Sequence, residues 1–410
     1  MSSNPDTPRI PPGFQQTTPD LRVGALSVHE LTETLGTPLF AYDSALIATR
    51  LRALRQHLPG RTWLNYAVKA NPMPALLQWL SHRVDGMDVA SSMEITRAIE
   101  AGMEPRHISF AGPGKRRKEL EHALQAGITI GIESEGQFTT LAALAREHGI
   151  TPRVTLRLNP DFQVKGSGMR MGGGPQPFGV DVEEAPALLE RSRAAGMLLA
   201  GLHIFAGSQN LRAEVIMEAQ RRSMTLALDL LRPTGLAPEF INIGGGFGIP
   251  YFPGDEPLDL AAVGSNLHDL DAELQTALPQ THPVVELGRY IVGEAGVYVA
   301  RVIDRKVSRG QVYLITDGGM HHHLAASGNL GQVLRKNYPV AIANRMQEPA
   351  TERATITGPL CTPLDVLADR VALPKAQVGD LVVVFQSGAY GLTASPTKFL
   401  SHPAPQELLV

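Results

Sequence analysis

Short apolar stretches alternate with helix-like stretches between residues 62 and 290, and this alternation dominates the chain. Between most of the apolar stretches, Leu, Ile and Ala recur every three or four residues, as an amphipathic helix requires. Eight apolar stretches read as strands: "TWLNYAVKA", "GMDVAS", "HISFAGP", "ITIGIES", "RVTLRLNP", "LLAGLHIFAGS", "EFINIGGGFG" and "PVVELGRY". About eight strand–helix units over roughly 250 residues predict a (β/α)8 barrel, with a doubly wound open sheet as the alternative.

The positions of the chemically reactive residues favour the barrel over the open sheet. Lys69, Ser208, the glycines at 244–246 and Arg289 all fall at the carboxyl ends of predicted strands. In barrels that end of the strands forms the active face.

The alternation stops near residue 295, and the rest of the chain reads differently. "GVYVARVIDRKV", "QVYLITDGG", "RATITGP" and "DLVVVFQSGAY" are strand-like stretches without helices between them, so they predict a second, all-β domain. The early strand at 38–43 precedes the barrel and is expected to join that domain. The predicted organisation is a flexible arm at 1–24, a strand region at 25–44 that packs on the β domain, a barrel at 45–294 and a β domain at 295–410.

Composition and charge narrow the possible partners. Hydrophobic residues make up 43% of the chain and charged residues 19%, as in ordinary globular proteins, and the net charge is −3. There is no basic excess for nucleic acid, and no apolar stretch approaches the roughly 20 residues of a membrane helix. A single cysteine, Cys361, excludes an internal disulfide, and the polar amino-terminal stretch lacks the apolar core of a signal peptide. We therefore expect a cytoplasmic protein.

Lys69 stands out because it lies within a stretch, "NYAVKANP", that otherwise reads as a buried strand. Strand geometry would put Ala67 and Lys69 on one face and Tyr66 and Val68 on the other. An unpaired buried ammonium is costly, so such a lysine is expected to have an ionic partner or a covalent role.

Three other motifs each admit a functional and a structural interpretation. The glycines at 244–246 suit an anion-binding turn or simply a tight strand-to-helix turn. Glu286 suits a cationic partner and Arg289 suits a phosphate, but the two residues could instead form a local ion pair with each other. Tyr390, between small residues in "SGAYG", suits a ligand oxygen or the core.

The remaining motifs are weaker indications of function. Cys361 follows a Gly/Pro turn, where it is either displayed or a small buried hydrophobe. The glycine-rich loop at 166–179 is typical of a mobile segment or one in close contact with a ligand. "MHHHL" lacks carboxylates or cysteines at ligand spacing, so we predict a polar loop and no metal site.

Taken together, the motifs resemble those of the fold-type III pyridoxal-phosphate decarboxylases, the family of ornithine and diaminopimelate decarboxylases. The resemblance extends from "GTPLFAYD" almost to the carboxyl terminus. The matching motifs, in chain order, are "YAVKANP", "GMDVASSMEI", "GSQ", "GGGFGIPY", "ELGRYIV", "GPLC" with Asp365, and "GAYG".

The resemblance implies a role for each matching residue. Lys69 would form a Schiff base with pyridoxal 5'-phosphate, Glu286 would face its ring nitrogen, and Asp88 and Glu94 would be acids near the lysine. Cys361 would protonate the carbanion left after CO2 departs, and would be delivered by the partner subunit of a homodimer with shared active sites. The implied phosphate contacts are Ser208, Gly246, Arg289 and Tyr390, with Gly245 and Gly288 also at the cofactor; Arg289, Tyr390, Thr362 and Arg335 are candidates for substrate contacts.

The chain departs from the family pattern at the ring face and at the far end of the substrate. Phe205 replaces the histidine that usually stacks on the ring, while His203 is either a neighbour of the site or an ordinary core histidine. Thr362 replaces the acid that usually holds a distal ammonium, for which Asp365 is a weak substitute. No arginine follows "DGGMHHHLAASG" until Arg335, and Leu287 replaces a proline.

These departures predict a decarboxylase whose substrate is not a free diamine precursor. "GMRMGGGPQPFGVD" and "HHHLAASGNLGQVLRKNYPV" resemble the family branch found in natural-product and exopolysaccharide gene clusters, some members of which act on an aminoacyl group on an acyl-carrier protein, such as a glutamyl thioester. The alternatives are a diaminopimelate decarboxylase with rearranged contacts, an alanine-racemase-like enzyme, which "GPLC" disfavours, and a non-catalytic regulator, which the presence of Lys69 and Cys361 disfavours.

Overall fold

The computed structural model describes residues 10–163, 169–170, 172–330, 332 and 335–410. Its contacts divide the chain into two compact units. The barrel unit comprises Leu51–Ile249 and Pro257–Gly288; the β unit comprises the chain up to Arg50, Pro250–Glu256 and Arg289–Val410. The first nine residues of the predicted arm, and positions 166–168 and 171 of the glycine-rich loop, lie outside the described residues.

Eight parallel strands close into a barrel, which confirms the predicted fold class and excludes the open sheet. Each strand pairs with its neighbours in chain order, and the eighth pairs with the first. A two-residue strand, Val180–Asp181, adds to the fifth. Barrel strands one to eight are Trp63–Ala67, Gly86–Val89, Ile108–Phe110, Thr129–Ile132, Arg153–Asn159, Leu198–Ile204, Phe240–Gly245 and His282–Leu287.

Helices follow the strands where the periodic leucines predict them. Several begin at a side-chain cap: Ser91 accepts a hydrogen bond from the Glu94 backbone, and Ser134 from that of Gln137. The helices associated with the barrel are Ser44–His57, Pro74–Ser81, Ser92–Glu100, Arg117–Gln125, Glu135–His148, Ala185–Ala194, Ala213–Leu231 and Leu260–Ala277.

The barrel strands are shorter than their apolar stretches, and for the first and the eighth strand this affects predicted site residues. The first strand ends at Ala67, and Val68–Ala70 form a 3-10 turn, so the prediction that Lys69 lies on a strand face with Ala67 is wrong. The eighth strand ends at Leu287 and is followed by the short helix Arg289–Val292. Apolar side chains continue past the last ladder hydrogen bond because the turns at the barrel rim are also buried.

The β unit contains an eight-stranded sheet that includes the early strand, as predicted. Leu39–Tyr42 pairs with Gly296–Ser308 on one side and with Gln406–Leu409 on the other. The remaining strands of the sheet are Gln311–Thr316, Val340–Ile342, Glu352–Thr357, Val366–Leu373 and Leu381–Val384.

Three strands of this sheet were not predicted. Val340–Ile342 and Gln406–Leu409 have only three and four residues. Val366–Leu373 is interrupted by Asp369 and by Arg370, whose φ is 47°. Short or interrupted stretches do not show the alternation by which a strand is recognised. The smaller elements are the hairpin Arg22–Val23 with Leu26–Ser27, the helix Val28–Leu35, and the pair Gly207–Ser208 with Met169–Arg170.

Within the described part of the chain, none of the helices has both the length and the apolar character needed to cross a membrane.

Gly264 provides a test of how tightly the barrel helices pack. Alanine usually stabilises a helix by about 1 kcal/mol relative to glycine. However, a Cβ at Gly264 would lie 2.6 Å from the carbonyl oxygen of His57, so we expect Gly264→Ala to destabilise the fold by about 1–3 kcal/mol. The measurement is the melting temperature. Gly136→Ala is the matched control, because a Cβ there meets nothing closer than 3.9 Å; it should leave the melting temperature unchanged or raise it. A higher melting temperature for Gly264→Ala would contradict the packing.

Candidate active site

A cavity of about 260 Å3 opens at the carboxyl ends of the barrel strands. It brings together three predicted site residues that are far apart in sequence: Lys69, Asp88 and Glu286. Lys115 and Arg157 also line it, and neither was singled out from the sequence. With Glu119 also in the lining, the cavity combines an amine with three carboxyl groups and two further cations.

Lys69 presents its amine where a ligand can reach it. Its side chain is exposed, because the turn at Val68–Ala70 lifts it out of the strand ladder. The Nζ atom lies 5.6 Å from the centroid of the Phe205 ring, a cation–π distance. Gly288 allows the turn, since a Cβ there would lie 2.7 Å from that of Ala70.

Two of the carboxyl groups of the cavity, those of Asp88 and Glu286, are buried, and their pKa values are shifted in opposite directions. Asp88 is 8% exposed and Glu286 is 7% exposed. Burial, together with Glu286, raises the pKa of Asp88 despite opposition from Asn65 and Lys69. Burial also acts to raise the pKa of Glu286, but His203, Lys69 and Arg157 lower it to about 2. The surroundings therefore favour the ionised form of Glu286 and the protonated form of Asp88.

Unpartnered polar atoms indicate that the cavity is built for a polar ligand. Among the described residues, Oδ2 of Asp88 and Oε2 of Glu286 are buried without a hydrogen-bond partner. Buried acceptors are almost always satisfied in proteins, so a donor is required here. A protonated heteroaromatic ring nitrogen would supply the donor that Glu286 lacks, and the aldehyde of a pyridoxal could react with the amine of Lys69. The residues present therefore fit a pyridoxal group.

Glu94 lies near this cavity and supports the backbone around it. Its Oε2 accepts a hydrogen bond of 2.7 Å from the backbone N–H of Ala90, which lines the cavity. Burial raises the pKa of Glu94, although that hydrogen bond and Lys69 act to lower it.

The glycines at the end of barrel strand seven pack closely against the segment that contains Ser208. Gly244 and Gly246 have φ of 72° and 73°, which favours glycine. A Cβ at Gly246 would lie 2.3 Å from the carbonyl oxygen of Gly207, and one at Gly245 would lie 2.2 Å from that of Glu286. Turn geometry and close packing thus account for these glycines, while a role for Ser208, Gly245 and Gly246 in binding an anion stays a prediction.

Arg289 and Tyr390 meet within the β unit. The guanidinium carbon of Arg289 lies 4.6 Å from the ring centroid of Tyr390, and its Nη1 donates a 2.8 Å hydrogen bond to the hydroxyl of Tyr251. The rings of Tyr251 and Tyr338 are 4.7 Å apart. The sequence analysis did not single out Tyr251 or Tyr338, although Tyr251 ends the matching motif "GGGFGIPY".

Cys361 lies exposed on a loop of the β unit whose shape depends on Asp365. The carboxylate of Asp365 accepts hydrogen bonds from the backbone N–H groups of Leu360 (2.8 Å) and Met320 (2.7 Å). The residue is only 2% exposed, so it is committed to the loop and does not replace the acid missing at Thr362. Arg335 is exposed and donates a hydrogen bond to the carbonyl of Val366.

The three adjacent histidines lie in a loop, as predicted, but their side chains are buried. His321, His322 and His323 are at most 1% exposed. His323 contacts the hydroxyl of Ser387 at 2.9 Å, and burial lowers its pKa to about 3, so its ring is neutral at physiological pH. Across the described ranges, no group of three or more His, Cys, Asp or Glu side chains is placed to hold a metal ion.

A buried ionic cluster beside the cavity was missed in the sequence. Glu133 lies 3.6 Å from Nζ of Lys115 and 3.3 Å from Nη1 of Arg157. Burial lowers the pKa of Lys115 to about 8, although Glu133 opposes this. A usable signal was present, since Arg157 interrupts the apolar stretch "RVTLRLNP" much as Lys69 interrupts its own.

Comparisons with known proteins cover nearly the whole chain. Residues 44–293 match the family model described as the pyridoxal binding domain of pyridoxal-dependent decarboxylases. The chain is 39% identical over 385 residues to the L-glutamyl-[BtrI acyl-carrier protein] decarboxylase of Niallia circulans, covering 92% of this chain and 90% of the relative. It is 32% identical to the diaminopimelate decarboxylase of Methanothermobacter thermautotrophicus, with 95% and 90% covered. The crystal structure of diaminopimelate decarboxylase from Helicobacter pylori with L-lysine superposes with a TM-score of 0.83 at 28% identity, covering 93% of each chain.

Because the pKa of Asp88 is raised, replacing this residue with asparagine should stabilise the fold in a pH-dependent way. Unfolded Asp ionises at about pH 3.9 whereas folded Asp88 resists ionisation, so this residue costs stability increasingly as pH rises above about 4. In the protein freed of cofactor, Asp88→Asn should therefore melt higher than wild type at pH 7 and no higher at pH 3.5. Scanning calorimetry across that range measures the effect. Asp229→Asn, at an exposed helix position, is the control and should show no pH-dependent gain; equal melting of wild type and Asp88→Asn at pH 7 would refute the assignment.

Proposed function

The chain belongs to the family of pyridoxal-dependent decarboxylases, and we propose that it removes the α-carboxylate, as CO2, from an aminoacyl group carried as a thioester on an acyl-carrier protein. The reaction makes it a carbon–carbon lyase, as its relatives are. A glutamyl group is the first substrate to test, because the 39% identical relative is named for it.

The observation that carries the proposal is the lack of a free acid beside Cys361. The next residue is Thr362, and the carboxylate of Asp365 is already bonded to two backbone N–H groups. A desolvated distal ammonium, as in lysine, ornithine or diaminopimelate, needs a carboxylate partner. This loop therefore suits a substrate whose far end is uncharged.

A carrier-bound glutamyl group meets that condition. Its α-carboxylate must be free in order to leave as CO2, so the thioester bond has to involve the side-chain carboxyl. The far end of the substrate is then a neutral thioester, which requires neither an acid at Thr362 nor an arginine after "DGGMHHHLAASG". Both departures from the family pattern follow from one change in the substrate.

Pyridoxal 5'-phosphate is the proposed cofactor, and its binding residues are those predicted from the motifs. Lys69 would bind its aldehyde and Glu286 its ring nitrogen, with Phe205 at the ring face and Asp88 near the lysine. When bound, the cofactor supplies an electron-poor ring that stabilises the negative charge left at Cα by the departing CO2. The proposed phosphate contacts are Ser208, Gly245, Gly246, Gly288, Arg289 and Tyr390.

Cys361 is assigned the final proton transfer. Its thiol would donate a proton to Cα of the product, as a general acid. Its exposed position is consistent with the proposed homodimer, in which each subunit delivers this loop to the active site of its partner. Thr362, which follows Cys361, and Arg335, which is bonded to the carbonyl of Val366, would then face the far end of the substrate.

Substrate preference distinguishes this proposal from diaminopimelate decarboxylase activity. We expect CO2 release from the γ-glutamyl thioester of a carrier protein to exceed that from free meso-diaminopimelate, lysine, ornithine, arginine or glutamate by at least about 100-fold in kcat/KM. Thr362→Asp should raise activity on the free diamino acids, while Thr362→Asn, its neutral control of similar shape, should not. Rapid turnover of free meso-diaminopimelate by the wild-type enzyme would instead establish the alternative function.

Spectroscopy tests the assignment of Lys69 independently of the substrate. The purified protein should show the visible absorption band of a lysine-bound pyridoxal, and borohydride should fix the label on the peptide that contains Lys69. Lys69→Ala should lose both signals. Lys115→Ala is the matched control, because this lysine lines the same cavity but is expected to leave the label in place. A label that persists in Lys69→Ala would exclude this role.

A further inference from the structure

We propose that His203 determines which of two buried carboxyl groups in the cavity, Asp88 or Glu286, carries the negative charge, because it contacts Glu286 and stabilises its anion. His203 is thus a positioning residue that acts through Glu286. The inference deepens the proposed function and rests on it, because that function pairs Glu286 with the ring nitrogen of the cofactor.

The geometry places His203 directly against Glu286. Nε2 of the histidine lies 3.2 Å from Oε2 of Glu286, and their side chains are 8% and 6% exposed. Barrel strand seven separates the strands that carry them, and it ends in Gly244 and Gly245, which have no side chains to fill the gap. His203 is therefore a neighbour of the site rather than an ordinary core histidine, which resolves the alternative left by the sequence.

His203 also has a second acidic neighbour. Glu133, after barrel strand four, has its pKa lowered in part by His203, although Arg157 and Lys115 contribute more. The charged groups around the pair, one from each neighbouring element, are Lys69 after strand one, Asp88 on strand two, Lys115 before the helix Arg117–Gln125, Glu133 after strand four and Arg157 on strand five.

Two neighbouring buried carboxyl groups do not both ionise easily, so something must select between them. Lys69 contributes at both Asp88 and Glu286, so it discriminates between them poorly. Its amine would also be committed to the cofactor, so its charge is not constant. His203 and Arg157 both lower the pKa of Glu286, and of the two His203 has the larger influence and contacts that carboxyl group at 3.2 Å. The histidine is therefore the side chain best placed to make the two sites unequal.

The sequence departure at Phe205 gives this arrangement a further consequence. Phe205 offers the cofactor ring a face with no hydrogen-bonding group, so strand six can influence the ring electrostatically only through His203 and Glu286. The charge on Glu286 is accordingly what would keep the ring nitrogen protonated, and its loss would weaken the ring as an acceptor of negative charge.

His203→Gln tests the proposal, because glutamine keeps polarity and similar volume but cannot carry charge. Infrared spectroscopy of the protein freed of cofactor, with Glu286→Gln and Asp88→Asn used to assign the bands, should show Glu286 gaining protons at least tenfold more readily in the variant. With cofactor bound, the visible band of His203→Gln should become pH-dependent between pH 4 and 7, while that of wild type stays constant. The value of kcat should fall at least tenfold, with KM changing less than twofold.

A double variant tests whether His203 selects the charged carboxyl group or only maintains the packing of the site. Adding Asp88→Asn to His203→Gln removes the competing carboxyl group, so the charge can reside only on Glu286 and the pH-independent band should return in part. A packing defect would not be rescued in this way. His203→Asn serves as the second variant if glutamine disturbs folding, with melting temperature and bound cofactor measured for each protein.

His282→Gln is the matched control, because His282 lies at the opposite end of the strand that carries Glu286 and stacks on Trp63. It should leave both carboxyl titrations unchanged. If Glu286 and Asp88 titrate in His203→Gln as they do in wild type, the proposal is overturned. The carboxyl titrations need no substrate, so a failure of this inference is distinguishable from a failure to decarboxylate the carrier-bound group.

Discussion

Burial of charge is the constraint on which the active face of the barrel depends. Glu286 and Glu133 are both nearly inaccessible to solvent, and each would be costly there without a cationic neighbour. Lys69 and Arg157 lower the pKa of Glu286, which the imidazole of His203 also contacts, while Lys115 and Arg157 pair with Glu133. These contacts leave Oε2 of Glu286 without an aligned hydrogen bond. The fold thus maintains an anion whose remaining acceptor capacity is available to a ligand.

The backbone around this cluster is as constrained as its side chains. Gly245 passes so close to the carbonyl of Glu286 that no Cβ would fit, and a Cβ at Gly288 would lie 2.7 Å from that of Ala70 in the lysine turn. The same device recurs in the β unit, where Gly319 and Gly358 leave room for the carboxylate of Asp365. Close backbone approach fixes the direction of each functional side chain, which is how irregular turns can hold a site with little freedom.

The departures from the family pattern affect the substrate more than the cofactor. The lysine turn, the carboxyl pair and the glycine turn carry the residues that the motif resemblance assigns to the cofactor. The changed positions are Thr362, where a carboxylate is missing, and Phe205, where a ring-stacking histidine is missing. The structure shows why the first is not compensated, because Asp365 already accepts two backbone hydrogen bonds. At Phe205 the structure shows a different histidine nearby: His203, two residues earlier, contacts Glu286.

The sequence by itself determined the barrel, the β domain with its early strand, and three of the residues that line the cavity, Lys69, Asp88 and Glu286. It could do so because strand–helix alternation and ordered motifs are local features of the chain. Only the tertiary structure decided the turn that carries Lys69, the place of Lys115 and Arg157 in the cavity, the burial of the three histidines, and the opposite pKa shifts of Asp88 and Glu286. Those features arise from distances between residues that are remote in sequence, and a side chain's charge state depends on such neighbours and on burial. Periodicity does not contain that information, so the contact of His203 with Glu286 becomes visible only when the strands close into a barrel.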